Sequence, residues 1–369
     1  MSDIQNFICI EDFEKYALKS LPKMIADYYR SGADNEQTLK ENRDAFKRLR
    51  FKPRILRNVS KRYLSTYILG KYVSFPVCIA PTAMQCMAHP DGEIATIKGG
   101  AAEEVLTIVS TFSTVSLEEV AKASPESFRW FQLYIYTDRS ITKDLINRAE
   151  KAGYSAIVVT LDASITGNRL NDIRNKFCLP AHLRLGNITR EDKSTISASV
   201  HTSGVSAYVE SSLDTSITWK DVDWLKQITS LPIILKGILT AEDAILAIEH
   251  GVDGIVVSNH GARQLDGVPA SIEVLYDIVR AVSGRCEVYM DGGIRNGTDV
   301  LKALALGAKA VLIGRPVLWG LAHSGESGVR TILQILRREL DIAMALSGCA
   351  TINEIKPTLV VRQESYSRL

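Results

Sequence analysis

Short β-branched runs, each followed by a segment with helical periodicity, are the feature that most limits how this chain can fold. Eight such runs occur from residue 77 onward, and this alternation is typical of βα units in a parallel sheet. Eight units fit a closed (β/α)8 barrel, a TIM barrel of the α/β class, better than an open sheet. The predicted strands are 77–81, 106–110, 130–134, 156–161, 233–236, 254–258, 287–291 and 310–314.

The rest of the chain is predicted to extend this barrel within one domain that spans residues 1–369. Helical patterns at 11–30 and 36–48 predict an N-terminal helical cap. The amphipathic segment 328–347 is predicted to be a final helix that closes the barrel bottom or makes an oligomer contact. The predicted divisions are the cap 1–76, the barrel 77–347 and the tail 348–369.

A long polar stretch, 187–218, lies between predicted strands four and five. It is rich in Ser and Thr and has little apolar periodicity, so it is predicted to be an insertion without regular structure. A segment of this kind beside an active site is typical of a mobile lid.

Composition sets limits on partners and compartment. The 44 basic and 42 acidic residues leave a net charge of +2 without a long run of like charge, so neither nucleic acid nor an anionic membrane is indicated as a partner. Six scattered cysteines lack a Cys-x-x-Cys pair, so neither a zinc site nor a disulfide framework is predicted. No apolar stretch approaches the roughly 18 residues of a membrane span, and no signal peptide is visible, so a soluble intracellular protein is expected.

The last three residues, Ser367-Arg368-Leu369, are a conservative variant of the Ser-Lys-Leu tripeptide that peroxisomal import receptors bind. The alternative is a polar tail that matches by chance. On this motif the peroxisome is the predicted compartment.

Polar side chains follow every predicted strand. In barrels of this kind the chemistry lies at the carboxyl ends of the strands, where all eight ends meet. Any one of these residues alone is more simply explained as a partner for loop backbone. Eight strands ending in this way predict a shared site, whose candidates are Thr82, Ala83, Ser110, Gln132, Tyr134, Thr160, Asp162, Lys236, Ser258, His260, Arg263, Asp291, Arg295, Gly314 and Arg315.

Strands seven and eight end in Asp291-Gly292-Gly293-Ile294-Arg295 and Gly314-Arg315. Glycines free the backbone N–H groups and arginines supply paired donors, which together suit a phosphate monoester. The alternative is two tight βα turns with surface arginines. We favour phosphate, because these two loops are adjacent in a barrel.

His260 is a candidate base. Asp162 would accept a hydrogen bond from one ring nitrogen and leave the other free, an arrangement found in catalytic triads, although sequence spacing does not show that the two residues meet. Arg169 and Arg263 are the residue type that binds a planar carboxylate. A structural histidine and a surface Arg169 remain the alternatives.

Together these residues resemble the FMN-dependent 2-hydroxy-acid oxidase and dehydrogenase family over nearly the whole chain. Residues 258–267, SNHGARQLDG, are similar to the active-site signature of that family, and DYYRSGA (27–33), APTA (80–83), QLY (132–134), LKG (235–237) and DGGIR (291–295) are supporting motifs. Among members, the chain is most similar to the peroxisomal animal and plant enzymes that act on glycolate and related acids.

The resemblance implies roles for the matching positions. His260 would be the catalytic base, oriented by Asp162, while Arg263 and Arg169 would bind the substrate carboxylate. Tyr28 and Tyr134 would donate hydrogen bonds to the substrate, Tyr134 being counted among the catalytic residues. The implied FMN ligands are Pro81, Thr82, Ala83, Ser110, Gln132, Thr160, Lys236, Ser258, Asp291, Gly292, Gly293, Arg295, Gly314 and Arg315, and no metal is implied.

The implied activity is oxidation of (S)-2-hydroxy acids to 2-oxo acids with reduction of O₂ to H₂O₂, in a homotetramer. Chain-length preference stays open: Phe112 replaces the tryptophan of glycolate-preferring members and would enlarge the pocket, and the lid is shorter than theirs, whereas Tyr28 resembles theirs. Ala163-Ser164 replaces their Thr-Pro, which leaves the placement of Arg169 open.

Three other functions also fit parts of this pattern. They are a dehydrogenase with another electron acceptor, a phosphate-binding isomerase or synthase, and a flavin-binding scaffold without activity.

Overall fold

Eight parallel strands close into a barrel at the centre of the computed structural model, which describes residues 7–188 and 203–366. The strands follow one another around the barrel in chain order, and the eighth pairs with the first. The predicted fold is therefore confirmed. The strands are β1 Val77–Ile79, β2 Thr107–Val109, β3 Arg129–Leu133, β4 Ile157–Thr160, β5 Ile233–Ile238, β6 Gly254–Val257, β7 Glu287–Asp291 and β8 Ala310–Ile313.

The strands are apolar on both faces because both faces are buried. Alternate residues point into the barrel, where Ile108, Trp130 and Val256 belong to one apolar cluster. Their neighbours Val109, Phe131 and Val257 belong to the second cluster, which packs under the helices. Burial on two sides explains why the strands appear in the sequence as nearly continuous apolar runs.

Helices surround this barrel. Gly92–Ala102, Leu117–Ala123, Arg139–Lys151, Trp219–Ile228, Ala241–Glu249, Ser271–Val282, Gly297–Ala305 and Arg315–Ser347 are the main ones. The last is longer than the predicted 328–347 and bends at Ser324 and Gly325, which has φ 58°. The prediction recognised only the part after the bend, because the bend interrupts the helical periodicity.

The cap contains three helices, Ile10–Ser20, Lys23–Arg30 and Gln37–Lys47. The single helix predicted over 11–30 is wrong, because Leu21 has an extended backbone with ψ 147°. A residue that precedes proline avoids the helical region, and Pro22 follows Leu21. The break lets the second helix turn toward the mouth of the barrel.

The lid prediction is wrong in part. Residues 204–212 form a helix, Gly204–Ser212, here called the lid helix, and the hydroxyl of its N-cap residue Ser203 accepts a hydrogen bond from the Ser206 N–H at 3.3 Å. Val205, Tyr208 and Val209 bury one face of it, and this i, i+3, i+4 spacing was a signal in the sequence. Residues 189–202 of the predicted lid lie outside the described residues.

Two short antiparallel strand pairs flank the barrel, Leu49–Phe51 with Val360–Arg362 and Thr66–Ile68 with Lys71–Val73. The second pair places Ile68 and Val73 against the interior of the barrel. The predicted tail therefore contains a strand that pairs with the cap, and the short helix Gln363–Tyr366 follows that strand. No helix within residues 7–188 and 203–366 is long and apolar enough to cross a membrane.

Candidate active site

A cavity opens at the carboxyl ends of the strands, where the active sites of such barrels lie. The predicted site residues that line it are Tyr28, Pro81, Thr82, Ala83, Ser110, Phe112, Gln132, Tyr134, Thr160, Arg169, Lys236, His260, Arg263, Asp291, Gly292, Gly293, Arg295, Gly314 and Arg315. The other two, Asp162 and Ser258, contact lining residues from behind.

His260 and Asp162 meet across 98 residues of sequence, with His260 Nδ1 2.8 Å from Asp162 Oδ1. Burial raises the pKa of the Asp162 carboxyl, but His260 and Lys236 outweigh it and the pKa is lowered. Burial lowers the pKa of His260 below its usual range, although Asp162 opposes this shift. An ionised carboxylate only accepts hydrogen bonds, so neutral His260 donates from Nδ1 and keeps the Nε2 lone pair for a substrate proton.

The loop that carries His260 has a constrained backbone. His260, Gly261 and Ala262 have φ of 57°, 63° and 64°, a left-handed conformation that non-glycine residues rarely adopt. Asn259 stabilises it through reciprocal amide hydrogen bonds with Asn42 of the cap, at 2.8 and 2.9 Å. Backbone in a costly conformation persists where its surroundings impose it, which is common at functional sites.

Two arginines form one wall of the cavity beside His260. Arg169 is 7% exposed, donating from Nε to the Arg263 carbonyl at 3.1 Å and from Nη2 to Gln264 Oε1 at 3.1 Å. Arg263 donates to the carbonyls of Tyr28 and Ser31, and its guanidinium lies 4.7 Å from the centre of the Tyr28 ring. The surface position considered for Arg169 is therefore wrong.

Gln264 explains how Arg169 is placed despite the Ala163-Ser164 segment. Its Nε2 donates to the carbonyls of Asp162 and Ile165, both at 2.7 Å, and its Oε1 accepts from Gly167 N at 3.2 Å. These bonds hold the chain on both sides of Ala163-Ser164. Gln264 lies within the signature at 258–267, where nothing in its local sequence indicates this role.

Lys236 lines the same cavity from β5. Its ammonium donates to Ser258 Oγ at 2.9 Å and lies 3.4 Å from Asp291 Oδ2. Burial disfavours the ammonium, but Asp291 and Asp162 outweigh burial and raise the pKa of Lys236. The cavity therefore contains a fixed positive charge at neutral pH.

Three residues that line the cavity have buried polar atoms without a hydrogen-bond partner among the described residues. Ser110 Oγ and Thr111 N both donate to Gln132 Oε1, at 3.3 and 3.0 Å, and so orient the Gln132 amide group. The nitrogen of that amide, Nε2, has no partner among the described residues. Asp291 Oδ1 and Arg295 Nε are also unpartnered. Unpartnered buried groups are rare, so these three atoms indicate a polar ligand.

The predicted phosphate arginines are partly buried. Arg315 donates to the carbonyls of Tyr29, Gly261 and Ser31. Burial and repulsion from Arg263 lower the pKa of Arg315 to about 9, so it stays charged at neutral pH. The alternative of surface arginines on tight turns is therefore wrong, and an anion would offset the charge concentrated here.

Sequence reasoning missed an apolar part of the lining. Val205 and Val209 of the lid helix face the cavity one turn apart, near Phe112. Tyr208 holds that helix in place, with its ring edge-on to Phe112 at 5.4 Å and its hydroxyl 3.4 Å from that of Tyr136. The helical spacing of these residues was the signal available in the sequence.

Comparison with known proteins assigns the family. The model of the FMN-dependent dehydrogenase family matches residues 17–362. The chain is 54% identical to 2-hydroxyacid oxidase 1 of Homo sapiens, over 97% of each chain, and 52% identical to glycolate oxidase 3 of Arabidopsis thaliana, over 95% of this chain and 94% of that one. The crystal structure of mandelate oxidase with (S)-4-hydroxymandelic acid is similar at a TM-score of 0.91 and 42% identity, covering 96% of this chain and 98% of that one. The chain belongs to the FMN-dependent dehydrogenase family.

The cavity fits the FMN of this family. The unpartnered atoms of Gln132 and Asp291 match polar groups of a flavin ring or ribityl chain, and Arg295 and Arg315 match its phosphate. Gly292 and Gly293, with φ of 98° and 82°, bring backbone to the cavity surface. Within residues 7–188 and 203–366, no group of His, Cys, Asp and Glu side chains is arranged to hold a metal ion.

Arg295→Met is expected to weaken FMN binding roughly 10- to 150-fold, the equivalent of one charge-assisted hydrogen bond. The reason is that the substitution removes a partly buried cation from the predicted phosphate site. Titration of apoprotein with FMN, followed by flavin fluorescence, measures the effect. Arg285→Met, at an exposed arginine that bonds only nearby carbonyls, is the control. Equal FMN affinity in the Arg295 variant would contradict the assignment.

Proposed function

We propose that this protein oxidises (S)-2-hydroxy acids to 2-oxo acids and passes the electrons to O₂, which forms H₂O₂. The observation that carries the proposal is one cavity in which the His260–Asp162 pair and the two arginines lie together. The names of full-length relatives, 2-hydroxyacid oxidase and glycolate oxidase, favour the oxidase over a dehydrogenase with another acceptor.

The arginines bind and orient the substrate. Arg263 and Arg169 present guanidinium groups from one wall, and a planar carboxylate accepts paired hydrogen bonds from such groups. Burial raises the pKa of both Tyr28 and Tyr134, so their hydroxyls remain protonated donors at neutral pH. A carboxylate fixed in this way directs the α-carbon toward His260 and reduces the entropy cost of reaching the reactive geometry.

His260 removes a proton from the substrate. Its Nε2 accepts the proton, and the Asp162 carboxylate, 2.8 Å from Nδ1, stabilises the resulting imidazolium. The proton comes from the α-carbon or from the hydroxyl, and both schemes use the same residues. Bound FMN would supply the electron sink for the two electrons that leave the substrate. Thr82, Ala83, Ser110, Thr160 and Lys236 are the proposed ligands of its ring and ribityl chain.

Peroxisomal location and a homotetramer are further parts of the proposal. The import motif Ser367-Arg368-Leu369 lies outside the described residues, so its support is the sequence alone. An exposed apolar surface supports self-association: Ile55, Leu56 and Leu346 are 81%, 99% and 75% exposed. The first two lie on a loop held to the end of the last helix by the hydrogen bond from Arg54 N to Ser347 O.

Anaerobic mixing tests the function. Glycolate or 2-hydroxyoctanoate is expected to bleach the visible flavin absorbance, and admission of air is expected to restore it with formation of peroxide. Bleaching without reoxidation by air would favour the dehydrogenase. A protein that reconstitutes with FMN but is bleached by no hydroxy acid would favour the scaffold, and failure to bind FMN would leave the isomerase.

His260→Ala is expected to keep FMN bound and to slow flavin reduction roughly 10²- to 10⁴-fold, because a positioned base contributes about that much. In the wild type, kcat/KM is expected to fall as the pH drops through the lowered pKa of His260, since imidazolium accepts no proton. Stopped-flow absorbance measures both. Exposed His182→Ala is the control. Near-normal reduction in the His260 variant would refute its role as base.

Phe112→Trp is expected to lower the kcat/KM for 2-hydroxyoctanoate relative to glycolate by roughly tenfold or more, because the larger ring fills space between Tyr134 and the lid helix. Steady-state peroxide formation with both acids measures the ratio. Phe128→Trp, at a ring that packs on Trp130 of β3, controls for an added indole elsewhere. An unchanged ratio would show that Phe112 does not limit chain length.

A further inference from the structure

Asp172 is a buried acidic residue that the proposed mechanism does not use. Its side chain is 1% exposed, and neither carboxylate oxygen has a hydrogen-bond partner among the described residues. Burying a carboxylate in this way is costly unless an opposite charge compensates for it. The stability of the buried carboxylate therefore depends on charged groups nearby, because it makes no hydrogen bond to a described residue.

The compensating charges are those of Arg169 and Arg263. Asp172 lies in the first turn of the helix Leu170–Arg174, and Arg169 is the N-cap of that helix. Burial raises the pKa of the Asp172 carboxyl, and the nearby charges of Arg263 and Arg169 offset only part of that rise. In the other direction, burial and Arg263 lower the pKa of Arg169 to about 10, and Asp172 acts against them.

The two arginines need this compensation. Within residues 7–188 and 203–366, neither guanidinium has a carboxylate at ion-pair distance, and their hydrogen bonds go to neutral oxygens. Arg169 is buried and Arg263 is partly buried, and like charges in such surroundings repel each other. An anion at longer range holds them together and leaves their remaining N–H groups for a ligand.

Two simpler explanations for Asp172 do not fit the contacts. As the third residue of its helix it could cap the first turn, but a cap would accept a backbone N–H and its oxygens accept none. It could belong to the ion-pair cluster of the neighbouring Asp27, but that carboxylate is bonded to Lys23, Arg30 and Asn175 and not to Asp172.

We propose that Asp172 is a positioning residue, a fixed counter-charge that keeps Arg169 and Arg263 adjacent and ready for a carboxylate without occupying their donors. The inference rests on the proposed function, because it takes the bound group to be the carboxylate of a 2-hydroxy acid. Asp172 touches neither substrate nor FMN in this proposal and acts through the two guanidinium groups.

Two variants of Asp172 distinguish the effect of its charge from the effect of its shape. Asp172→Asn keeps the shape and removes the charge, whereas Asp172→Glu keeps the charge and adds a methylene group. The ligand is 2-hydroxy-2-methylpropanoate, a carboxylate without an α-hydrogen, and its Kd is measured from the change in FMN absorbance of the holoenzyme. Melting temperature and FMN affinity confirm that each variant is folded and loaded.

Asp172→Asn is expected to raise the Kd of this ligand and the KM of the hydroxy acid roughly tenfold, with a smaller effect on kcat. Asp172→Glu is expected to stay within about threefold of the wild type, because the charge remains. Glu103→Gln removes another buried carboxylate, paired with Arg330 on the outer helices, and is expected to leave the Kd unchanged.

The ranking of the variants decides the proposal. A larger loss in the Glu variant than in the Asn variant would show that Asp172 matters for packing, and an unchanged Kd in the Asn variant would show that its charge is irrelevant; either result overturns the proposal. An equal loss in Glu103→Gln would do the same. Because the titration needs no turnover, a wild type that binds the ligand but oxidises no hydroxy acid overturns only the proposed function. A wild type that does not bind it overturns both.

Discussion

The closed ring of backbone hydrogen bonds between the eight strands is the constraint on which the rest of the structure depends. Closure brings the carboxyl end of every strand to one rim, so residues far apart in sequence share a cavity. Asp162 follows β4 and His260 follows β6, and the ring sets them 2.8 Å apart. The helical cap then covers part of this rim and contributes Tyr28 and, through Asn42, support for the His260 loop.

Within this rim the chemistry depends on balanced buried charges. The Lys236 ammonium interacts with the carboxylates of Asp291 and Asp162, and Asp162 is also bonded to His260, so the charges of Lys236 and His260 are electrostatically linked. Arg169, which is buried, and Arg263, which is partly buried, carry like charges in the same cavity. Charges in such surroundings interact more strongly than in water, so each group influences the protonation state of its neighbours.

Prediction from sequence succeeded where the signal was local. The barrel strands were recognisable because burial on both faces produces apolar runs, and their ends carried the polar residues. Errors arose where a short local interruption was outweighed by the pattern around it. Pro22 divided one predicted helix, Gly325 hid the first half of another, and Ser-rich composition concealed the buried face of the lid helix.

The sequence by itself determined the order of βα units, the inventory of acids, bases and arginines at strand ends, and the resemblance that points to FMN. Tertiary structure alone decided that His260 meets Asp162 and that Gln264 spans the Ala163-Ser164 segment. It also decided that Asp172 is buried near two guanidinium groups, with no hydrogen-bond partner within residues 7–188 and 203–366. The reason is physical. Periodicity and residue type act over a few neighbouring residues, whereas pKa, burial and the pairing of charges depend on distances that only the closed barrel sets.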